Sequence, residues 1–485
     1  MRNHISFVLN GELKTVENFA PTQTVLNFLR KTNKLTGTKE GCAEGDCGAC
    51  TVVIGELVDD KLIHRAVNAC IQFVPMLDGK SITTVEGLAD GAHLHPVQQS
   101  MVDLHGSQCG FCTPGFVMSL YGAYLNREVL NRDGLNDILA GNLCRCTGYG
   151  PIIDAGLQMR HLPESEQQSK RLMEEERLLI SLGEQETLHL SFWDFQYFAP
   201  KTSDELAQLY LTHPDATIVA GATDVGLWVT KQHRKLPTII EIGKVADLKQ
   251  VTRDDHNVIV GAGVNCAQFE KLLKDLYPDF AELMRRFGSN QVRQAGTIGG
   301  NIANGSPIGD SMPALIALAA KVTLRKGSGK REVALEDFFI SYGKQDRTPG
   351  EFVESISFPL DDKPDRLRCY KISKRFDQDI SAICGCFYVR VNGQIIEEVR
   401  LGFGGMAGIP QRAKFAEQEL LGSNWDRESI EAAANALLRD FKPLTDARGS
   451  AEYRMQVAQN LLRKYFHESQ YPLAESRIVG QESVY

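Results

Sequence analysis

Between Gly41 and Cys50 the chain reads GCAEGDCGAC, and Cys70 follows twenty residues further on. Cys42, Cys47 and Cys50 stand in C-x(4)-C-x(2)-C spacing with Cys70 as a fourth thiol, the plant-type arrangement of ligands for a 2Fe-2S cluster. Gly41, Gly45 and Gly48 are interspersed with the thiols, so the backbone can close around an inorganic group and aim N–H donors at sulfur with no Cβ in the way. Such a loop must be held by a small domain built around it, and the domain it implies is an electron carrier. Zinc ribbons prefer two C-x(2)-C pairs, which makes iron–sulfur the expected chemistry. A zinc-stabilised scaffold without redox function is the alternative of another class.

Eight of the twelve cysteines precede residue 150. Cys109 and Cys112 lie in SQCGFCTPG, and Cys144 and Cys146 in GNLCRCTGYGP. Four thiols spaced C-x(2)-C and C-x-C make a second four-ligand metal site, at which spacing alone leaves zinc open. The neighbouring first site favours a second cluster, because two centres in series form a wire. Cys266, Cys369, Cys384 and Cys386 are scattered and read as core residues, since free cysteine behaves as a small hydrophobe.

In chain order, Ile5, Phe7 and Leu9 alternate, Asn10-Gly11 supplies a tight turn, and Leu13 to Phe19 gives a second strand. Thr24 can cap a helix carrying Val25, Leu26, Phe28 and Leu29. Strands follow at Thr51 to Ile54 and Arg65 to Ala69, giving the β-grasp order of a small ferredoxin. From Thr84 to Pro151 the pattern is helical, with helices expected at Pro96 to Leu104 and Pro114 to Leu125 and a short one before Cys144. Residues 161–190 are acid-rich and hold no Cys, Phe, Trp or Tyr; they read as a solvated tether containing one exposed helix, Glu164 to Ile180. A net charge of −8 argues against a nucleic-acid surface. No secretion signal or membrane span is visible, so the expected location is cytoplasmic.

Phe192 to Pro200 opens a further domain, with Ser203 capping a helix that carries Leu206, Leu209 and Leu211. Ala216 to Gly226, ATIVAGATDVG, runs as a strand into a turn whose N–H groups suit a pyrophosphate. It is not GxGxxG. Gly296 to Asp310, GTIGGNIANGSPIGD, adds five glycines among small and amide side chains. Beyond Asn392, strand-like Ile395 to Phe403, the turn GGMAGIP and helices near Glu428 to Phe441 and Ala451 to Phe466 are expected; from His467 on no pattern is clear.

GCAEGDCGAC, QCGFCTPG and GNLCRCTGYGP together resemble the iron–sulfur segment of the molybdenum hydroxylases, the group that contains xanthine dehydrogenases, aldehyde oxidoreductases and carbon monoxide dehydrogenases. The resemblance implies an α+β multidomain chain. Its parts would be a β-grasp plant-type ferredoxin domain (1–83), a four-helix 2Fe-2S bundle (84–158), a linker (159–190), a two-part α/β FAD-binding domain (191–365) and a small α+β C-terminal flavoprotein domain (366–485).

By that resemblance the pyrophosphate of FAD falls to Val219, Ala220, Gly221, Ala222, Thr223 and Asp224. Phe287, Thr297, Gly300, Asn301 and Asp310 would contact the rest of the flavin nucleotide. Lys371, in YKISKRFDQDIS, would stand near the isoalloxazine, although by itself it reads as an exposed lysine on a strand edge. Gln108 and the loop of Cys146 would face the pterin of a partner. No residue of this chain is expected to act as acid, base or nucleophile.

With no molybdopterin-binding portion in the sequence, the chain resembles the electron-transfer small subunit of a bacterial xanthine dehydrogenase. The implied partner is a large molybdopterin subunit, in a dimer of heterodimers, with NAD as acceptor; the equivalent subunit of an aldehyde or N-heteroaromatic hydroxylase is the alternative. One departure bears on the acceptor. Phe376-Asp377-Gln378-Asp379 breaks the acidic run that the animal xanthine dehydrogenases carry in this segment.

Overall fold

The alternating apolar residues of the N-terminus form β1 (Ile5–Leu9), and the chain reverses into antiparallel β2 (Glu12–Val16). Asn10 and Gly11 make this turn at φ 51° and 86°, the double positive φ of a hairpin that matches strand twist. The computed structural model describes residues 2–91, 93–128, 130–163, 165–183 and 186–477. They form two compact units. The first runs to Leu206 and regains the chain at Asp215–Val245 and Gly288–Gly296; the second takes Ala207–Pro214, Ala246–Phe287 and the chain from Thr297.

In the first unit, β3 (Thr51–Val58), β4 (Lys61–Asn68) and β5 (Ser81–Thr83) complete a five-stranded sheet of order β2-β1-β5-β3-β4, in which β1 and β5 run parallel. Thr24 caps α1 (Val25–Asn27) by accepting the Asn27 N–H at 3.2 Å, and the helix loosens into a wider turn over Phe28–Thr32. Four helices follow, α2 (Pro96–Asp103), α3 (Thr113–Leu125), α4 (Arg132–Leu139) and α5 (Gly150–Gln158). They enclose their own apolar core, including Val97, Phe116, Leu120, Leu135 and Ile152. The glycine-rich turn belongs to a four-stranded sheet, with β6 (Leu188–Phe192), β7 (Phe195–Ala199), β8 (Thr217–Val219) and β9 (Thr238–Glu241) in the order β6-β7-β9-β8.

The acid-rich segment is not a solvated tether. Its expected first residue, Glu164, lies outside the described residues, and α6 runs over Glu166–Leu182 with Ser165 as its cap. Leu179 and Leu182 pack on Val8, so that every residue of β1 is buried, on both sheet faces. Glu175 is buried as well. It accepts a hydrogen bond from Ser81 Oγ, and both of its carboxylate oxygens lie 3.2 Å from His64 Nε2. Arg171 donates to the carbonyls of Gly87, Leu88 and Ala89. A few well-placed side chains dock a helix whose composition alone looks solvated. A second correction is local: Thr202, not Ser203, caps the next helix, Ser203–Thr212, its Oγ1 accepting the Glu205 N–H at 3.2 Å.

The second unit has two larger antiparallel sheets and a short hairpin, Phe339–Ser341 with Lys344–Gln345. One has five strands in the order Val251–Arg253, Asn257–Gly261, Phe352–Pro359, Lys321–Lys326 and Gly329–Ala334; the other has four, Leu367–Ile372, Ile383–Asn392, Ile395–Gly404 and Gln411–Arg412. Helices Arg427–Asp440 and Ala451–Gln470 pack on the latter. Cys266, Cys384 and Cys386 are buried in the core of this unit and Cys369 lies against it. The chain beyond His467 stays docked, Arg477 pairing with Asp279 at 2.5 Å and Glu468 at 2.6 Å; residues 478–485 lie outside the described residues. Among the described residues no helix is long and apolar enough to cross a membrane.

Two outcomes follow for α6. Leu179→Ala is expected to lower stability by about 2–4 kcal/mol through lost burial and the cavity left behind, read as a fall in melting temperature. His95 caps α2 by accepting the Val97 N–H at its Nδ1 and meets Gln168 of α6 at its Nε2. Burial first, and the charge of Arg171 second, depress it from 6.5 to about 4. Since the unfolded chain takes up the proton first, stability is complete above about pH 6.5 and is lost as pH falls toward 4. Melting followed across that window is expected to show this slope, and His95→Asn, which keeps a capping acceptor, to remove part of it.

Candidate functional site

The first thiol loop is held by the β-grasp sheet, between α1 and β3, with Cys70 just past β4. Cys50 and Cys70 are buried and Cys42 and Cys47 half-buried. Cys42 Sγ accepts N–H bonds from Glu44, Asp46 and Cys47 at 3.4–3.5 Å. Hydrogen bonds from the Cys47 and Cys70 thiols hold Cys42 far below the ordinary thiol range, while the bond to Cys42 and burial raise Cys47, and bonds to Cys42 and Cys50 raise Cys70.

The second set is carried by the bundle: Cys112 precedes α3, and Cys144 and Cys146 lie between α4 and α5. Cys144 Sγ accepts from the N–H groups of Cys146 and Thr147 at 3.4 Å and from Thr147 Oγ1 at 3.2 Å. Burial pushes the Cys112 thiol up to about 12. Cys109 and Cys146 are exposed, as are Gln108, Phe111 and Leu143 beside them. Among the described residues no three His, Cys, Asp or Glu groups converge as ligands of one ion would. In the first set Cys42 meets both Cys47 and Cys70, and Cys70 also meets Cys50; in the second, Cys112 meets Cys144 and Cys109 meets Cys146.

Both flanks of the first loop are tied to other parts of the same unit. On one side the Leu143 N–H, next to Cys144, donates to the Cys47 carbonyl at 3.0 Å. On the other, Gln72 Nε2 donates to the Gly221 carbonyl at 2.7 Å, and Thr230 Oγ1, on the helix Val225–Thr230, to the Ala43 carbonyl at 2.7 Å. A Cβ on Gly226 would fall 2.7 Å from the Ile71 carbonyl. The helix after the turn therefore lies directly on the chain that carries Cys70.

In that turn Val219 and Ala222 are buried, Ala220, Gly221 and Thr223 half-buried, and Asp224 exposed. Ala222 is left-handed, at φ 56°, a conformation that an alanine adopts at some cost. Gly221 comes so close to the Ala295 carbonyl that no side chain fits there. This leaves a bare backbone ledge of the kind that suits a phosphate.

The other expected flavin residues belong to the second unit. Thr297 caps the helix Ile298–Asn304, accepting the Gly300 N–H at 3.1 Å, and Gly300 is exposed. Asn301 Oδ1 accepts from Ser311 Oγ at 2.6 Å, and Phe287 is half-buried. Lys371 is not an exposed edge lysine. Its Nζ is buried against Asp310 Oδ2 at 2.6 Å and donates to the Arg286 carbonyl at 3.2 Å, while Ser381 Oγ donates to the other Asp310 oxygen at 2.6 Å. Sequence reasoning found Asp310 and Lys371 separately and missed Ser381 and Arg286, which complete their shell. It also missed Thr51, Ser119, Asn142 and Gln291, buried polar residues beside the thiol loops. The one visible signal was a serine within the apolar run of α3.

Known proteins match along most of the chain. Residues 7–74 match the 2Fe-2S iron-sulfur cluster binding domain and 84–157 the [2Fe-2S] binding domain. Residues 193–361 match the FAD binding domain in molybdopterin dehydrogenase, and 368–469 the CO dehydrogenase flavoprotein C-terminal domain. Xanthine dehydrogenase of Drosophila subobscura is 31% identical over 99% of this chain and 40% of its own length. Human aldehyde oxidase is 30% identical over 96% of this chain and 39% of its own. The chain thus spans about two fifths of the length of the curated relatives it matches.

Among solved structures, carbon monoxide dehydrogenase from Hydrogenophaga pseudoflava overlays with a TM-score of 0.52 at 26% identity, over 56% of this chain and 95% of that one. Quinoline 2-oxidoreductase from Pseudomonas putida 86 shares the fold, with a TM-score of 0.52 at 21% identity over 57% of this chain and 98% of its own. Two iron–sulfur domains, an FAD-binding domain and its C-terminal companion occur in one order in the sequence and the matches, and on that ground the chain belongs to the molybdenum hydroxylases, as the portion with their 2Fe-2S and FAD-binding domains.

Proposed function

We propose that this chain is the electron-transfer subunit of a xanthine dehydrogenase, carrying electrons from a molybdopterin centre on a large partner subunit to FAD and then to NAD while hypoxanthine or xanthine is oxidised to urate. The observation that carries the reading is the order of contacts in the first unit. The surface thiol set is bonded through Leu143 to the inner set, and the inner set through Gln72 and Thr230 to the glycine-rich turn and its helix. When bound, two 2Fe-2S clusters and FAD supply the electron carriage, and the protein supplies placement and tuning.

In this reading Cys109, Cys112, Cys144 and Cys146 hold the cluster nearer the partner, and exposed Gln108 and the Cys146 loop face its pterin. Cys42, Cys47, Cys50 and Cys70 hold the inner cluster. Val219 to Asp224 present backbone to the FAD pyrophosphate. Phe287, Thr297, Gly300, Asn301 and Asp310 serve the rest of the nucleotide, and Lys371, locked by Asp310, stands by the isoalloxazine. The division of the chain would follow the boundaries at 83, 158, 190 and 365, and the assembly would be a cytoplasmic dimer of heterodimers. A second reading has specific support: aldehyde oxidases match as fully as xanthine dehydrogenases do, so an aldehyde or N-heteroaromatic substrate is the alternative.

The test is a visible spectrum of the native complex, captured anaerobically through a tag on this chain, before and after xanthine. Bleaching of the flavin and iron–sulfur bands is expected. Bleaching by an aldehyde but not by xanthine would transfer the chain to the second reading, bleaching by NADH but not by xanthine would keep the flavin and clusters while removing the purine substrate, and a colourless complex would remove the redox function. Cys47→Ser is expected to lower the iron content of the purified protein. Asp310→Ala would strand a buried ammonium, at a cost of about 3–5 kcal/mol; less flavin retained on purification, at equal iron content, is the outcome expected.

A further inference from the structure

A knot of four buried polar side chains lies beside the two thiol loops, and none of its members is a metal ligand. Gln291, Thr51 and Ser119 are each 1% exposed and Asn142 2%. Gln291 Nε2 lies 3.0 Å from Asn142 Oδ1, 3.1 Å from Ser119 Oγ and 3.2 Å from Thr51 Oγ1. Ser119 Oγ also donates to Asn142 Oδ1 at 2.7 Å. The knot closes on one atom of the first loop, the Gly48 carbonyl, which accepts from Asn142 Nδ2 at 3.1 Å and from Thr51 Oγ1 at 2.7 Å.

Gly48 lies between Cys47 and Cys50, and Asn142 two residues before Cys144. The glycines show how closely the elements meet. A Cβ on Gly48 would strike the Gly141 carbonyl, one on Gly115 would strike the Gly48 carbonyl, and one on Gly141 would strike Gln291 Oε1. That Oε1 is itself buried without a hydrogen-bond partner. An orphaned buried acceptor costs on the order of 1–3 kcal/mol, so the amide is retained here against its own desolvation. A methionine or leucine would fill the same volume without that penalty. Gln291 also comes from neither iron–sulfur domain; it sits on the short helix Asn290–Ala295, immediately before the stretch Gly296 to Asp310.

We propose that Gln291 is a positioning residue for electron transfer between the two iron–sulfur centres. Through Asn142 it clamps the Gly48 carbonyl, and so holds the Leu143 N–H on the Cys47 carbonyl, a second direct hydrogen bond between the two ligand loops. The step it serves is the movement of one electron from the centre held by Cys109, Cys112, Cys144 and Cys146 to the centre held by Cys42, Cys47, Cys50 and Cys70. The first is oxidised and the second reduced by one equivalent; no bond forms or breaks and no proton moves. The inference rests on the two-cluster reading above and adds to it the part that sets the coupling.

The test compares the full chain in its native complex with Gln291→Met, which keeps bulk and removes the amide. Iron and flavin contents are expected to be unchanged. In dithionite-reduced samples the low-temperature paramagnetic resonance splitting between the two centres should change, and electron equilibration between them after a flash of reductant should slow roughly 10-fold, the lower end of what outer-shell partners of a metal site contribute. Amide exchange at Leu143 should rise together with it. Gln291→Glu, which restores an oxygen but removes the donor, should behave as Gln291→Met does.

Spectra, rates and Leu143 exchange identical to the parent would overturn the proposal. If Gln291→Met fails to accumulate, Asn142→Ser is measured in the same way, and an unchanged splitting there is equally fatal. Absence of iron from the parent complex would instead sink the cluster reading itself, and is therefore distinguishable.

Discussion

The glycine contacts around Gly48 are the constraint on which the iron–sulfur half of this protein depends. Two loops from different thiol sets, one carrying Cys42, Cys47 and Cys50 and the other Cys144 and Cys146, must come within hydrogen-bonding distance of each other, and a backbone carbonyl can be shared among three elements only where no side chain intervenes. Gly48, at φ 69°, meets Gly141 on one side and Gly115 on the other. A side chain on Gly48 would force the two loops apart, one on Gly115 would push α3 off the Gly48 carbonyl, and one on Gly141 would displace Gln291. Everything else in the first unit is compatible with that approach: α3 starts at Thr113, so Gly115 falls in its first turn, and α4 ends at Leu139, leaving Gly141 and Asn142 free of helical geometry.

Burial of polar groups around these loops follows from the same closeness. Backbone carbonyls brought into a dry contact need donors, and Thr51, Asn142 and Asn68 supply them, the last by donating to the Gly45 carbonyl at 2.8 Å. Asp78 plays the corresponding part in the turn before β5 of the β-grasp sheet. It is fully buried, accepts the Ser6 N–H, and pairs with both Arg2 and Lys244. A buried carboxylate with one cation would be strained; with two cations and a backbone donor its charge is well compensated, and although burial opposes it, those partners hold it below the usual carboxylate range.

What the sequence made legible was whatever depends on near neighbours. The Asn10-Gly11 hairpin, the Thr24 cap, the proline at the start of α3 and the thiol spacings are all local devices, and each stands where it was expected. The misreadings concern partners far along the chain. α6 looked solvated because charged residues dominate it, yet Glu175 is matched to His64 and Ser81, about a hundred residues away. Lys371 alternates like an edge residue and is nevertheless buried, because Asp310 is brought to it. The Gln291 knot joins residues 51, 119, 142 and 291; nothing in any one segment announces it.

The distribution of chain between the two units bears on how such a protein can carry electrons. Transfer between fixed sites needs separations that thermal motion does not change, and the first unit supplies this by taking back two later segments. Asp215–Val245 brings the glycine-rich turn, and Gly288–Gly296 brings Gln291. Each returns to the inner thiol loop and is bonded there, Gly221 by Gln72 and Gln291 by Thr51. A flavin domain joined to its electron donor by one flexible link would leave the distance to chance. Here the first stretch of that domain is built into the same body as the thiols, and its place beside the inner thiol loop is set when the chain folds.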